Sequence, residues 1–428
     1  MNNPGKRWDI WRILGAASAL SSFAAIAVGL AVGFIVLYIS NSRDALPGFL
    51  TLLRSGVGDL KSMGQVLYFA TPIIMTGLSV AFASRTGLFN IGASGQFIVG
   101  AYFAILVGVK GAALPGYILC PAAVLAATLA GAVWGSLPGI LKAWRNVNEV
   151  IACIMMNYIG MYLVNYLVTQ TVYDQRRNLT IAVARHANIP KMGFDQVFRL
   201  GNSPSSANGG IIIAIVSAII IYIILEKTTL GFELKACGFN KDSAEYAGIN
   251  SSRGIVTAMT IAGALAGLGG ALLYLSGSGK GIDVVDTLAQ EGFNGIPVAL
   301  LALNNPIGVV FSGLFIAHLT VGGFNMQLYN YAPQAVDMIV AIIIYFSAAS
   351  LLIKGFIQEF ANRHGGNLYA TETEIIPVEE VSEPEPESEP EPEQEVEPEP
   401  EPAAVSDPEL QSDLPAGHSG VSKEDEED

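Results

Sequence analysis

Four side-chain amides interrupt otherwise apolar stretches of this sequence: Asn90, Gln96, Asn157 and Asn294. An amide offers paired donors and acceptors without the desolvation cost of a charge, which suits recognition of a neutral solute bearing hydroxyl or amide groups. The same groups can also join neighbouring helices through hydrogen bonds, and the sequence leaves both roles open. Asn90 and Gln96 belong to Gly87-Leu-Phe-Asn90-Ile-Gly92-Ala-Ser-Gly95-Gln96, where three glycines break up an apolar segment. Backbone of that kind is tolerated at membrane depth only where protein or a water-filled cavity covers it. Asn157 lies eight residues after Glu149, about two helical turns away and on a similar face. Asn294 belongs to Glu291-Gly-Phe-Asn294-Gly-Ile-Pro297, and Asn304-Asn305-Pro306 follows; this Gly, Pro and Asn content marks a broken helix and a tight turn.

A second group is charged. Residues 227–253 form a polar island with a short helical pattern, set between two long apolar segments. Gly238, Asn240, Lys241, Asp242, Glu245 and Gly248 are its candidate functional residues. In a membrane protein such an island is where a partner at the membrane surface is engaged, with Gly238 and Gly248 expected at the turns around the short helix. Gly277-Ser-Gly-Lys280-Gly281 imitates a phosphate-binding loop, but Tyr274 and Gly281 stand where that motif needs Gly and Ser or Thr. No other catalytic constellation is present, so nothing argues for an enzyme. Cys120, Cys153 and Cys237 have no paired spacing and the four His residues are scattered singly, so no metal site or disulfide framework is expected.

The elements that must position these residues are membrane helices. Hydrophobic residues make up 51% of the chain and charged residues 14%, with a mean hydropathy of +0.47; a soluble protein of this length needs far more surface charge. Apolar runs near 13–39, 62–83, 88–109, 114–141, 149–172, 210–226, 254–275, 288–303, 306–325 and 333–353 predict an all-α polytopic membrane protein with about ten transmembrane helices. The run at 288–303 is a poor lipid-facing helix because it carries Glu291 and Asn294, and it reads either as a tenth span or as a short, re-entrant piece. Lys6, Arg7 and Arg12, then Lys142 and Arg145, then Lys227, Lys235, Lys241 and Arg253, and finally Lys354 all fall on one side in this arrangement. The positive-inside rule makes that side cytoplasmic, with both termini there. The basic residues of the external loop 173–209 run against that reading.

The expected organisation is a cytoplasmic N-terminus (1–12), a membrane domain (13–354) and a cytoplasmic tail (355–428). The first span reads as a retained signal anchor, since its apolar core is long and lacks a clear cleavage site. Loop 173–209 is either a solvated connector or a surface for an external partner. The tail holds 23 acidic residues against Arg363 and Lys423, whereas residues 1–354 hold 21 basic residues against 14 acidic ones. Its Glu/Pro-rich run from about residue 371 predicts a disordered, extended segment, either a spacer or a contact for a basic partner. The basic excess of the membrane domain follows from its flanking charges and calls for no nucleic acid. Glycines at four-residue spacing (131, 135 and 139; 263 and 267) allow helix backbones to approach, within the chain or between subunits.

Four stretches, GLFNIGASGQ, NEVIACIMMNYIG, KACGFNKDSAEYAGI and GFNGIPVALLALNNPIG, occur in this order across about residues 60–350. Together they resemble the permease subunits of nucleoside ABC importers, and look most like the longer of the paired permeases. That family is shared with simple-sugar and branched-chain amino-acid permeases. The resemblance implies a small neutral solute as cargo and a second permease subunit in the cell membrane. It also implies an external substrate-binding lipoprotein and a separate cytoplasmic ATPase that holds the ATP. It implies that 238–248 contacts that ATPase; the chemistry of their amides makes Asn90, Gln96, Asn157 and Asn294 the candidates for the substrate pathway. Family members often carry Glu where this chain has Ser94. A sugar permease is the alternative within the class. An ion-coupled secondary transporter is the alternative outside it, with Glu291 and Asp337 as its only candidate intramembrane carboxylates.

Overall fold

The computed structural model describes residues 26–331 and 334–348, and seven helices among them are long and apolar enough to cross a membrane. The predicted N-terminus (1–12), the acidic tail (355–428) and the outer parts of the spans at 13–39 and 333–353 lie outside the described residues. The helices run α1 (described over Ile26–Ser40), α2 (Ala45–Ser55), α3 (Leu60–Arg85), α4 (Ala93–Lys110), α5 (Gly116–Arg145), α6 (Glu149–Thr171), α7 (Phe194–Val197) and α8 (Gly210–Lys227). Then follow α9 (Thr229–Phe239), α10 (Lys241–Tyr246), α11 (Ser251–Tyr274), α12 (Gln290–Phe293), α13 (Gly295–Leu301), α14 (Pro306–Met326) and α15 (Gln334–Ala348). The seven candidate spans are α3, α4, α5, α6, α8, α11 and α14.

Starts of these helices are written locally. Asp59 accepts from the Ser62 backbone N–H at 2.8 Å, Asn148 from Val150 at 2.9 Å and Asn250 from Arg253 at 2.9 Å. Each satisfies one of the donors a helix leaves unpaired in its first turn. The backbone hydrogen bond from Ser62 holds the Asp59 carboxyl below the usual carboxylate range, partly opposed by burial. Asn305 caps α14, and Pro306 fills its first position, where no N–H is needed.

α3 stands at the centre. Every residue from Ala70 to Ala83 is buried, as expected for a helix that is apolar all round. α11, α13, α14 and α8 pack around it, and α4 and α5 close on the far side of α11. The α5–α11 contact is a seam of glycines: a Cβ added at Gly263 would fall 2.3 Å from the Gly131 carbonyl oxygen, and one at Gly267 would fall 2.5 Å from that of Ala127. Both glycine series of the sequence therefore serve packing within the chain. In lipid, where apolar surface gains nothing by leaving the solvent, this approach supplies dispersion contacts instead.

Three expectations need correction. The segment 288–303 is no span. It forms α12 and α13, of four and seven residues, each far short of a bilayer core of roughly 30 Å at about 1.5 Å rise per residue. The span expected at 88–109 begins only at Ala93, because residues 87–92 leave the helix with Gly87 at φ +72°. The described chain is also not wholly helical. Loop 173–209 holds two antiparallel two-residue pairs, β1 (Tyr173–Asp174) with β2 (Leu179–Thr180), and β3 (Arg199–Leu200) with β4 (Ser203–Pro204).

That loop closes one end of the bundle. Ala187, Ile189 and Ala207 are buried in it, the Ile189 N–H donates to the Leu275 carbonyl at 2.8 Å, and Lys61 donates to Ser203 at 2.8 Å. The opposite end carries α9 and α10.

The seam yields a direct test. Gly267→Val forces a branched side chain against the Gly131 backbone and should cost about 1–3 kcal/mol or more by overpacking. Leu129→Ala, on the 64% exposed face of α5, should leave the melting temperature of the detergent-purified protein nearly unchanged. Equal melting of the two variants would refute the seam.

Candidate functional site

Asn90, Gln96 and Asn157 are brought together, fully buried, where α3, α4, α6 and the irregular segment 86–92 meet. The Asn90 and Gln96 amides pair reciprocally: Asn90 Nδ2 donates to Gln96 Oε1 at 2.8 Å, and Gln96 Nε2 donates to Asn90 Oδ1 at 2.9 Å. Asn90 also donates to Ser79 Oγ at 2.9 Å, and Ser79 donates onward to the Ala262 carbonyl of α11 at 2.6 Å. Asn157 accepts from the Gly95 N–H at 2.8 Å and donates to the Ile91 carbonyl at 3.0 Å. Asn157 thus supplies partners to backbone that no helix satisfies, Asn90 and Gln96 pair with side chains, and each hydrogen bond crosses between segments. Asn294 stands apart, half-buried at the break between α12 and α13, with no capping hydrogen bond from its side chain.

The charged island lies directly beneath this cluster. A Cβ on Gly87 would come within 2.3 Å of the Gly238 Cα, and one on Gly238 within 2.5 Å of the Thr86 carbonyl. The α9 backbone therefore rests on the segment that continues to Asn90. Gly238 lies inside α9 rather than at a turn, so contact with another backbone is what excludes a side chain there. Gly248 does occupy a turn, at φ +81° with open space around it. Asn240 caps α10 by accepting from the Ser243 N–H at 3.0 Å, and Lys241, Asp242 and Glu245 are exposed. Glu245 accepts a hydrogen bond from Ser251 at the start of α11. Phe239 and Tyr246 are 93% and 94% exposed and, with the exposed Phe232, give the hairpin of helices a large apolar area among its charges. Glu226 joins Arg85 and Lys235, tying α3, α8 and α9 together at this end. Burial pushes the Cys237 thiol of α9 up from its ordinary value, reinforced by the nearby Glu233 carboxylate. At the start of α6, Glu149 pairs with Lys142 at 2.8 Å.

On the other side of the amide cluster is a cavity of about 220 Å³, lined among others by Ser94, Met161, Asn165, Tyr274, Lys280 and Glu291. Lys280 forms an ion pair with Glu291 and lies 5.9 Å from the centre of the Tyr274 ring. Ser94 donates to the Ala289 carbonyl at 2.8 Å, and Asn165 to that of Val285 at 2.9 Å. The segment 276–289 is thus held to α4, α6 and α12 by polar contacts. Sequence reasoning set Lys280 aside as part of a false phosphate loop and passed over Asn165. The signal for both was present, since a Lys and an Asn beside long apolar runs call for polar partners.

Residues 62–348 match the family described as branched-chain amino acid transport system, permease component. The chain belongs to that family. This permease is 39% identical over 344 residues to a guanosine ABC transporter permease of Bacillus subtilis, covering 80% of this chain and 96% of the relative. It is 34% identical to a nucleoside ABC transporter permease of Lactococcus lactis, covering 77% and 90%. It is 31% identical to a glucose ABC transporter permease of Haloferax volcanii, covering 85% and 95%. No solved structure matches. The chain is therefore a multi-pass membrane transport component and not an enzyme.

The hydrogen bonds around Asn157 separate its two possible roles. Asn157→Leu strands the Gly95 N–H and the Ile91 carbonyl, each at about 1–3 kcal/mol. The permease should then melt well below the wild type and accumulate poorly. An unchanged melting curve with lost transport would instead assign the amide to substrate.

Proposed function

We propose that this chain is the membrane-spanning subunit of an ABC importer that carries nucleosides. Nucleosides as cargo are supported by the two relatives named for guanosine and for nucleosides, at 39% and 34% identity over nearly their full lengths. The observation that carries the coupling mechanism is the backbone contact between Gly238 and Gly87. It joins an exposed helical hairpin, where an ATPase subunit can dock, to the segment that carries the buried amides.

On this reading residues 227–253 face the cytoplasm, as the basic flanks Lys227, Lys235, Lys241 and Arg253 favour, and the permease sits in the cytoplasmic membrane with both termini inside. Phe239 and Tyr246 enter a groove of the ATPase, with Lys241, Asp242 and Glu245 at the polar rim. A binding lipoprotein delivers the solute at the end closed by loop 173–209, and a second permease completes the cavity. ATP-driven closure of the ATPase pair displaces α9–α10, and the Gly87–Gly238 contact passes that displacement to α4 and α6. Ion coupling finds little support, because Glu291 is already engaged by Lys280 and Asp337 is exposed in the first turn of α15. The glucose-permease relative keeps a second reading, transport of a simple sugar.

Uptake of labelled nucleosides and of ribose, in cells lacking this chain and in cells with it restored, tests the proposal. Loss of nucleoside uptake alone is expected; loss of ribose uptake alone would move the permease to the sugar reading. Two variants test the coupling surface. Gly248→Val places a branched side chain at positive φ, costing about 1–2 kcal/mol or more locally, and should reduce uptake at least tenfold with normal membrane levels. Phe239→Ser with Tyr246→Ser should abolish co-purification of the ATPase. Retained co-purification would show that the docking surface lies elsewhere.

A further inference from the structure

Two transmembrane helices of this permease present broad exposed faces of different chemistry. On α8 the exposed side chains are Ile212, Ile215, Val216, Ile219, Ile220 and Ile223, all hydrocarbon and suited to lipid. On α6 the exposed surface carries Tyr158, Tyr162 and Tyr166, which are 48%, 56% and 63% exposed, beside the hydrocarbon side chains of Ile151, Ile159 and Leu163 and the thioether of Met155. The tyrosines recur every four residues and so follow one side of the helix. Interfacial tyrosines are found near the ends of a span, where the hydroxyl meets water. Here Tyr158 and Tyr162 each lie nine residues from an end of the 23-residue helix, about 14 Å in at 1.5 Å per residue. That is close to mid-depth, where an exposed hydroxyl facing hydrocarbon goes unsatisfied.

The same side of α6 is continuous with polar space. Asn165 lies seven residues from Tyr158, almost two full turns on, and Met161 and Asn165 both line the cavity shared with Ser94, Lys280 and Glu291. A line of aromatic rings descends from that cavity towards the end occupied by α9 and α10. Each ring offers a flat face for stacking and a hydroxyl that can donate or accept. Stacking of a nucleobase on an aromatic side chain is favourable and tolerates different bases.

We infer that Tyr158, Tyr162 and Tyr166 form a wall of the translocation path and that the planar base of the solute moves along their rings. The inference rests on the nucleoside reading above for the identity of the base, while the wall itself rests on the exposed hydroxyls. The stripe is a specificity-determining surface that favours solutes with an aromatic ring over simple sugars of similar polarity.

Two experiments on the complete transporter in cells test this. In the native background, the double variant Tyr158→Phe with Tyr162→Phe should retain nucleoside uptake within about twofold, because stacking survives. The double variant with Leu at both positions should lower the maximal rate at least fivefold while the half-saturating concentration, set by capture outside the membrane, stays constant. In a background with Cys120, Cys153 and Cys237 replaced, Tyr158→Cys and Tyr162→Cys should react with a water-soluble methanethiosulfonate. Guanosine supplied during turnover should slow that reaction, and Ile219→Cys on α8 should remain unreactive. Normal rates in the Leu variant would overturn the stacking role. Cysteines at 158 and 162 as inert as the one at 219, or cross-linked to a second permease, would overturn the wall. Absence of nucleoside uptake by the wild type would instead refute the nucleoside reading, and the cysteine reactivity would still decide whether this face is a wet path.

Discussion

A bilayer offers no water to backbone groups, so every N–H and C=O at membrane depth must find its partner inside the chain. The architecture around segment 86–92 follows from that constraint. The segment abandons helical hydrogen bonding in the interior of the bundle; local turns satisfy several of its N–H groups, and the Asn157 amide serves its Ile91 carbonyl. From α6, Asn157 serves that carbonyl and the Gly95 N–H in the first turn of α4, while Asn90 and Gln96 close on each other and Asn90 on Ser79. Removing one member leaves its partners buried without hydrogen bonds, so the group acts as a unit. A neutral amide does this without the larger desolvation penalty of a carboxylate or ammonium.

The second constraint is the weakness of hydrophobic driving force between helices in lipid. Close backbone approach replaces it, and the permease uses that device in two places with different consequences. Along α5 and α11 the glycine seam is long and regular, and it holds two full spans together. At Gly87 and Gly238 the approach is a single point, between an irregular segment and an exposed helix. A contact through backbone has no rotamer freedom to absorb displacement, so movement of α9 must be taken up by segment 86–92 or by the amides behind it. A segment that leaves helical geometry inside the bundle is therefore also in contact with the candidate ATPase-docking hairpin.

Much of this was legible in the sequence. Long apolar runs located the seven spans to within a few residues, because a helix of this length with so few charges has no other stable placement. The polar island between α8 and α11 was legible for the complementary reason. Segment 288–303 could be marked as suspect from Glu291 and Asn294, but its division into α12 and α13 depends on packing against α3 and α4 that no local pattern encodes. The partners of Asn90, Gln96 and Asn157 were equally hidden. Gln96 is six residues from Asn90, but Asn157 is more than sixty residues away, and composition does not fix how helices rotate about their axes. Gly238 was expected at a turn because glycine often marks one; its actual neighbour, Gly87, comes from the far side of the chain.

The three named relatives sharpen what the fold can and cannot decide. Permeases named for guanosine, nucleosides and glucose share this scaffold at 31–39% identity over most of their lengths, so the scaffold itself does not choose the solute. Buried amides whose donors and acceptors are already spent on neighbouring segments have little left to offer a passing ligand, whatever their polarity. Discrimination must come from groups that are polar and still accessible. Such groups border the cavity at Asn165, Lys280 and Glu291 and continue down the exposed face of α6. The polar residues of this permease therefore divide into two populations. One is buried and paired, which allows an irregular backbone to exist in a membrane. The other borders the cavity and the exposed face of α6, where Asn165, Lys280 and Glu291 keep their own partners yet stay within reach of a solute.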